Sequence, residues 1–442
     1  MITVHVGFDD TDSPRGGCTT YIAALLVEKL EKLGVSFIDY PNLIRLNPNV
    51  PWKTRGNGAL CLRIRLPEEQ LDRVREVVVE TIREHADLEH EDTHPGVVFL
   101  TGPIPQEVRE FARRTIQGIV TLEEALSLVE KIGAEAVGFK KRRGIIGGLA
   151  AIGEPLEQDH TYELIAYRTP ENRGKPRRVD EPSVKEMDRR TQPLTFNNVD
   201  PETGRILITP RGPDPVLYGI RGESPEAVKE AHRMVRVYEP IERWVIFRTN
   251  HGTDAHLREV RSVRELRPYH PAVIRGVVVE GPRIIPRRHV VFTIEDETGR
   301  VDCAAYEPTG ILRRVAGKLI VGDWVEVAGG VRPPSNRHPM TINLEKLRII
   351  KLAPKVTLHN PTCPRCGRRM KSMGRNKGFR CKGCGLRSRE LKKIAVREER
   401  DLKEGLYITS PRSQRHLTKP LCRYGREKSG APNQMIDEWH RP

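Results

Sequence analysis

Aromatic side chains are scarce in this 442-residue chain, at 5% of positions, and glutamine occurs only seven times beside 134 Lys, Arg, Asp and Glu. A charged, glutamine-poor composition is a bias of proteins from hot environments and carries no chemistry by itself. No apolar run approaches the length of a membrane span, and the N-terminus opens directly into a strand pattern rather than a signal-peptide layout, so a cytoplasmic protein is expected. The phosphate loop Gly-x4-Gly-Lys-[Ser/Thr] is also missing, so any ATP is held in another manner. Four of the eight cysteines, Cys18, Cys61, Cys303 and Cys422, have no spaced partner and read as reduced thiols.

What the chain does have is a crowd of carboxylates near its start, in Gly7-Phe-Asp-Asp-Thr-Asp-Ser13. Ile2, Val4, Val6 and Phe8 alternate with Thr3, His5 and Gly7, the period of a half-buried strand, so Asp9 and Asp10 emerge at its end with Asp12 close behind. After Gly16 and Gly17 the spacing becomes helical, with Ile22, Leu26, Leu30 and Leu33 on one face, and Thr19 or Thr20 is the expected N-cap. Acids at the carboxyl end of a strand, facing the unsatisfied N–H groups of a glycine-led helix start, can hold a divalent metal and a phosphate side by side. A solvated acidic turn with an ordinary threonine cap has the same pattern and stays open at this point.

Length alone suggests three or four domains. Of the net charge of +16, residues 355–442 carry +15, from 23 Lys and Arg against 8 Asp and Glu. So localised an excess points to a polyanion, with nucleic acid the default partner and an anionic membrane surface the rival. Within that region Cys363-Pro-Arg-Cys366 and Cys381-Lys-Gly-Cys384 are two knuckles, each followed by a glycine, at 367 and 385, that lets backbone amides face the sulfurs. Four thiolates so spaced suit tetrahedral zinc, with a redox dithiol as the alternative. Arg365, Arg368, Arg369, Lys371, Arg375, Lys377, Arg380 and Lys382 ride on these loops and can meet phosphates without first ordering a floppy backbone.

Upstream, short strands at 274–279, 290–295, 301–306, 324–328 and 340–347, with turns at Glu297-Thr-Gly299 and Val321-Gly-Asp323, predict an oligonucleotide-binding (OB) β-barrel. The middle, about 105–260, predicts a ferredoxin-like α+β domain: strands at 162–168 and 206–209, a β-α-β unit over 216–249, and a long loop over 169–204. Two further loops carry site-type residues. Between strands ending near Leu46 and starting at Ala59, Lys53, Arg55 and Asn57 are set among glycines where they could wrap a triphosphate, although a solvated Gly-Asn-Gly turn reads alike. In His251-Gly-Thr-Asp-Ala-His256, Asp254 is favoured as charge partner for a cationic substrate over a second zinc site.

Taken together, Gly7-Phe-Asp-Asp-Thr-Asp-Ser13, Cys18-Thr-Thr20, Ile44-Arg-Leu-Asn-Pro48, Lys53-Thr-Arg-Gly-Asn-Gly58, the barrel, the four-cysteine ribbon and Arg415-His-Leu-Thr-Lys-Pro420 resemble the archaeal tRNA(Ile2) 2-agmatinylcytidine synthetase family, over nearly the whole chain. The N-terminal motifs carry the specificity of that match; barrels and ribbons are common among RNA-binding proteins. The resemblance implies a ligase that uses ATP and Mg2+ to join agmatine to C2 of the wobble cytidine in the CAU anticodon of tRNA(Ile2). It implies a kinase-like N-terminal α/β domain that phosphorylates its own threonine, Thr19 here, and activates the cytidine oxygen; a ferredoxin-like domain that helps bind agmatine; and an OB-fold and zinc ribbon that grip the tRNA. Asp9, Asp10 and Asp12 would then ligate magnesium, with Gly16, Gly17, Thr20, Lys53, Arg55 and Asn57 at the nucleotide, and Asp254, Arg415 and Lys419 at the substrates. The expected division is 1–104, 105–260, 270–353, 355–395 and a basic tRNA-binding extension 396–442, with the first domain free to extend further. The phosphorylation is chemically sensible, because it turns the poor leaving group at C2 into phosphate, which an amine can displace. A non-catalytic tRNA-binding scaffold, or a tRNA kinase or ligase using another amine, are the alternatives.

Overall fold

The computed structural model describes residues 1–54, 56–431 and 434–442. Arg55 lies outside the described residues. The first body contains β1 (Ile2–Asp9), α1 (Thr19–Lys32), β2 (Ser36–Phe37), β3 (Asn42–Arg45), β4 (Gly58–Leu66), α2 (Leu71–His85) and β5 (Gly96–Thr101). It continues through α3 (Gln106–Gln117), α4 (Leu122–Lys131), β6 (Glu135–Gly138) and α5 (Gly144–Gly153). Its ladders are antiparallel throughout, an α+β arrangement where the resemblance implied an α/β domain.

β1 is buried on both faces, not one. Val4, Val6 and Phe8 meet the core beneath α1 and α2, while α5 covers the opposite face so closely that a Cβ on Gly7 would lie 2.0 Å from the carbonyl oxygen of Gly148. Glycines at 144, 147 and 148 are therefore what lets a helix lie on this strand. The buried Arg63 guanidinium of β4 holds the far end of α5, donating to the carbonyls of Ala151, Ile152 and Glu154 at 3.0–3.3 Å. The helices over 106–153 thus pack on the N-terminal strands, beyond residue 104.

The next stretch comprises β7 (Thr161–Arg168), α6 (Glu181–Thr191), β8 (Thr195–Phe196), β9 (Val216–Gly222), α7 (Pro225–Met234) and β10 (Ile241–Thr249). Its strand order β10-β7-β9-β8 is the ferredoxin-like β-α-β-β-α-β arrangement. The segment expected as a loop over 169–204 contains α6, capped by the Asp180 side chain on the Ser183 amide at 3.1 Å, and β8. Conversely, the expected strand at 206–209 is only an isolated bridge between Val199 and Ile206. Parallel pairing of β10 with β3 joins both halves into one eleven-stranded sheet.

The barrel follows β11 (Arg258–Glu259) and is built from β12 (Pro271–Ile285), β13 (His289–Asp296), β14 (Gly299–Ala305), α8 (Ile311–Ala316), β15 (Trp324–Arg332) and β16 (Thr341–Lys351). All five expected strands are present. They close in the order β12-β13-β14-β16-β15 and back to β12, around a core that includes Ile274, Phe292, Cys303, Val325 and Leu347. A two-stranded stalk, β17 (Lys355–His359) with β21 (Ile394–Glu398), carries the ribbon and its short strands β18 (Lys371–Ser372), β19 (Phe379–Arg380) and β20 (Arg387–Ser388).

The C-terminal segment is a strap rather than a free basic arm. β22 (Gly405–Ile408) pairs with β16 of the barrel, and the chain then crosses the sheet to end as β23 (His440–Arg441) on β10, with Trp439 buried in the main core. On the way Arg423, fully buried, pairs with Asp159 at 2.9 Å and Glu223 at 2.6 Å. Among the described residues no helix is long and apolar enough to cross a membrane.

Candidate active site and nucleic-acid interface

The end of β1, the start of α1, the loop 47–58, the start of α5 and strands β7 and β9 converge on one cavity of about 380 Å³, a volume suited to a small-molecule ligand. Asp9, Asp10, Asp12, Thr19, Thr20, Lys53 and Asn57 all line it. Gly16 and Gly17 shape the approach instead: Ser13 and Gly16 exchange backbone hydrogen bonds of 2.9 and 3.2 Å, and Gly17 takes φ +75°, with a Cβ there only 3.2 Å from Asp12 Cα. The N-cap is Cys18, one residue earlier than expected, with Thr19 as the first helical residue. The Thr11 hydroxyl donates to the Thr19 hydroxyl at 3.0 Å, so Thr19 is held at the cavity wall through its oxygen.

The aspartates differ in their surroundings. The Asp9 carboxylate accepts the Asp10 amide at 2.7 Å, and burial first, then the neighbouring charge of Asp10, pushes its pKa well above the usual carboxylate range. Asp10, at φ +62°, is gripped bidentately by Arg143 at 2.9 and 3.2 Å. Arg143 also donates to the Asp92 carbonyl at 2.7 Å. The three carboxylates share the cavity but do not form a compact cage; among the described residues the four ribbon cysteines are the only group with that geometry. Gly147 of α5 makes the floor, since a Cβ there would fall 2.0 Å from Asp9 Oδ2.

Across the cavity lies a second cluster that the sequence pattern did not single out. Glu163 of β7 accepts from Arg221 at 3.0 Å and from Arg45 at 3.4 Å, with His251 Nδ1 at 3.6 Å. Burial would raise its pKa, but Arg221, His251 and Arg45 together hold it well below normal. Asp214 also lines this wall and pairs with Arg177 at 3.3 Å. His416 enters from the strap. His251 and His416 lie in segments that the sequence marked, His251-Gly-Thr-Asp-Ala-His256 and Arg415-His-Leu-Thr-Lys-Pro420, but they are separated from Glu163 and Asp214 by tens to hundreds of residues, with no shared period.

Other expected site residues have different occupations. Lys53 faces the cavity beside Arg415, and burial and that like charge lower its pKa. Asn57 donates to the Asn47 carbonyl at 2.7 Å and so braces its own loop. Asp254, expected to receive a cationic substrate, lies outside the cavity lining. It is paired with Lys346 of the barrel and accepts the Lys419 amide at 2.7 Å, which makes it a brace between domains. Lys419 is buried and paired with Glu427 at 2.9 Å and Asp159 at 3.1 Å, which leaves its charge no route to an RNA phosphate. Arg415 donates to the Pro48 carbonyl at 3.2 Å, tying the strap to the cavity loop.

In the ribbon the four cysteine sulfurs lie within 4.8 Å of one another, the chemistry and geometry of a tetrahedral thiolate zinc site. Gly367 and Gly385 take φ +69° and +75°, and their amides donate to the carbonyls of Cys363 and Cys381 at 2.9 and 3.1 Å, closing both knuckles. The eight basic residues of these loops are exposed and enter no ion pair among the described residues. This cationic surface lies on the same chain as a closed OB barrel and a cavity lined by acids and a helix start. Fold and site together define a nucleic-acid-directed enzyme.

Comparison with known proteins makes this specific. Residues 5–70 match the TiaS TCKD domain, 142–256 the TiaS FLD domain, 272–350 the OB-fold nucleic acid binding domain and 360–402 the TiaS C-terminal zinc ribbon domain. The tRNA(Ile2) 2-agmatinylcytidine synthetase TiaS of Pyrococcus horikoshii is 47% identical, over 95% of this chain and 96% of its own. That of Methanocaldococcus jannaschii is 43% identical, over 95% and 99%. A crystal structure of a TiaS-tRNA(Ile2)-ATP complex superposes with a TM-score of 0.87 at 43% identity, covering 96% of this chain and 98% of that one. A TiaS-tRNA(Ile2)-AMPCPP-agmatine complex gives 0.84 at 41% identity, covering 96% and 98%. The chain belongs to the tRNA(Ile2) 2-agmatinylcytidine synthetase family.

Proposed function

We propose that this protein is a cytoplasmic ATP-dependent ligase that joins agmatine to C2 of the wobble cytidine of tRNA(Ile2), through phosphoryl activation of the cytidine oxygen. One observation carries this reading: a single cavity holds an acidic strand end with a helix-start hydroxyl on one wall and the carboxylates Glu163 and Asp214 on the other. The first wall suits a nucleotide phosphate. The second offers carboxylates to a cationic amine only in competition with their arginine partners, Arg45 and Arg221 on Glu163 and Arg177 on Asp214. Cytidine must leave its stack to reach both.

In this reading the N-terminal body acts as the kinase and Thr19 carries the phosphoryl group transiently. Asp9 and Asp12 offer oxygen donors that fit magnesium, and a divalent cation would relieve Asp9, whose protonation is favoured by burial and the charge of Asp10. Such an ion would neutralise charge on the transferring phosphate. Asp10 is committed to Arg143 and serves to hold the start of α5, while Lys53 supplies a cation from the opposite loop. The barrel and ribbon bind the tRNA away from the anticodon, a separation that the length of a tRNA spans.

The test is a mixture of protein, labelled ATP, agmatine and tRNA transcripts, with Thr19→Ala compared against Thr20→Ala. Base-linked agmatine should form with wild type and Thr20→Ala, and not with Thr19→Ala. Equal loss in both variants denies Thr19 its special role, and product with spermidine in place of agmatine would indicate a different amine.

A further inference from the structure

The ligase reading needs a group that accepts the proton of the attacking amine, and most ionisable residues of the cavity are already engaged. Asp10 is held by Arg143, Glu163 by Arg45 and Arg221, and Asp214 by Arg177. Asp9 and Asp12 belong to the phosphate wall. His416 is different. It reaches the cavity on the C-terminal strap, anchored where the Gly252 amide donates to its carbonyl at 2.8 Å and the Asp254 amide donates to the Leu417 carbonyl at 2.8 Å.

The ring is seated rather than loose. The backbone of the 47–58 loop lies against it, since a Cβ on Gly56 would sit 2.7 Å from Nε2, and it meets His251 edge-on at 5.0 Å. His251 in turn lies 3.6 Å from Glu163. Neither ring nitrogen of His416 has a hydrogen-bond partner among the described residues. Burial first, then Arg45 and His251, lowers the imidazole pKa well below its usual value, so the ring is neutral at rest and takes a proton only from a strongly acidic donor.

We infer that His416 is a catalytic residue of the amine-transfer step, accepting the proton that agmatine sheds as its nitrogen bonds to C2. The inference rests on the ligase reading above. In the step, the N–C2 bond forms and the C2–O bond breaks, phosphate leaves with the electron pair, and the proton passes from the nitrogen to an imidazole nitrogen. Once its lone pair is shared with C2 the nitrogen is far more acidic than a free ammonium, so a neutral imidazole suffices. Glu163, beyond His251, offsets the charge that the ring acquires. The phosphoryl step does not use this residue.

The experiment uses full-length His416→Gln and His416→Ala proteins with tRNA transcript. Conjugation should fall by about 100-fold or more, the usual size of a lost general base. ATP consumption measured without agmatine should fall by much less than conjugation, and added imidazole should restore conjugation in His416→Ala by about tenfold. Conjugation near the wild-type rate in His416→Gln overturns the inference. So does an equal fall in both activities that imidazole does not reverse, which would make the residue a packing element. A wild type that consumes ATP yet yields no conjugate overturns the ligase reading itself, and the His416 role with it.

Discussion

A buried carboxylate crowded by two others costs stability when ionised, and Asp9 is in that position. Because its folded pKa is raised, the group favours the fold fully below the unfolded carboxylate range, and that contribution is lost as pH rises through the folded value. Asp9→Asn should therefore unfold a few degrees above wild type at pH 7.5 without divalent cations, with the gain vanishing towards pH 4. Thermal unfolding across that pH range checks it, and the same variant should not consume ATP. Gly147 is the converse case, where the smallest side chain decides the site. With its would-be Cβ 2.0 Å from Asp9 Oδ2, Gly147→Ala must move α5 or the carboxylate. Loss of about 1–3 kcal/mol in denaturant unfolding and a larger fractional loss of ATP consumption are expected.

At the scale of elements, the zinc ribbon stands apart on a two-stranded stalk with a small core of Met370, Phe379 and its own cysteines. So little apolar burial cannot hold it without metal. Cys381→Ser, or chelation, should make residues 360–402 protease-sensitive and weaken tRNA binding sharply in a filter or mobility assay. ATP consumption by the N-terminal body should change by no more than about twofold, since the cavity contains no ribbon residue. The ribbon and barrel were also the most legible elements in the chain, for a local reason: knuckle spacing, turn glycines and period-two strands are each complete within a few residues. α6 escaped notice because only Val184 and Met187 among its residues form an apolar stripe, although Asp180 before Glu181-Pro182 was a cap signal in plain view.

Across the whole molecule, the strap and the continuous sheet make one mechanical unit of parts that the sequence presents as separate domains. Arg423 joins them through the half-buried Asp159 and the buried Glu223, and Arg423→Met leaves these carboxylates only Lys419 and Lys428 as charge partners. A cost of about 1–3 kcal/mol in global unfolding is expected, together with loss of activity as the strap detaches from the cavity. Truncation after residue 409 should have a similar effect, where removal of a free basic arm would only weaken RNA binding. The basic excess of residues 355–442 thus divides by burial. The ribbon's cations face solvent and suit phosphate, whereas Lys419 and Arg423 are consumed in holding the chain together.

By itself the sequence determined the chemistry available at each position: three acids after a strand, a hydroxyl at a helix start, four thiolates in knuckles, and a barrel's run of strands. Those signals depend on neighbours in the chain, where spacing translates directly into geometry. Only the tertiary structure decided that Arg143 claims Asp10, that Asp254 braces the barrel, and that Glu163, Asp214 and His416 face Thr19 across one cavity. These are contacts between segments up to about four hundred residues apart, and no periodicity along a chain encodes which distant segment will cover a given face.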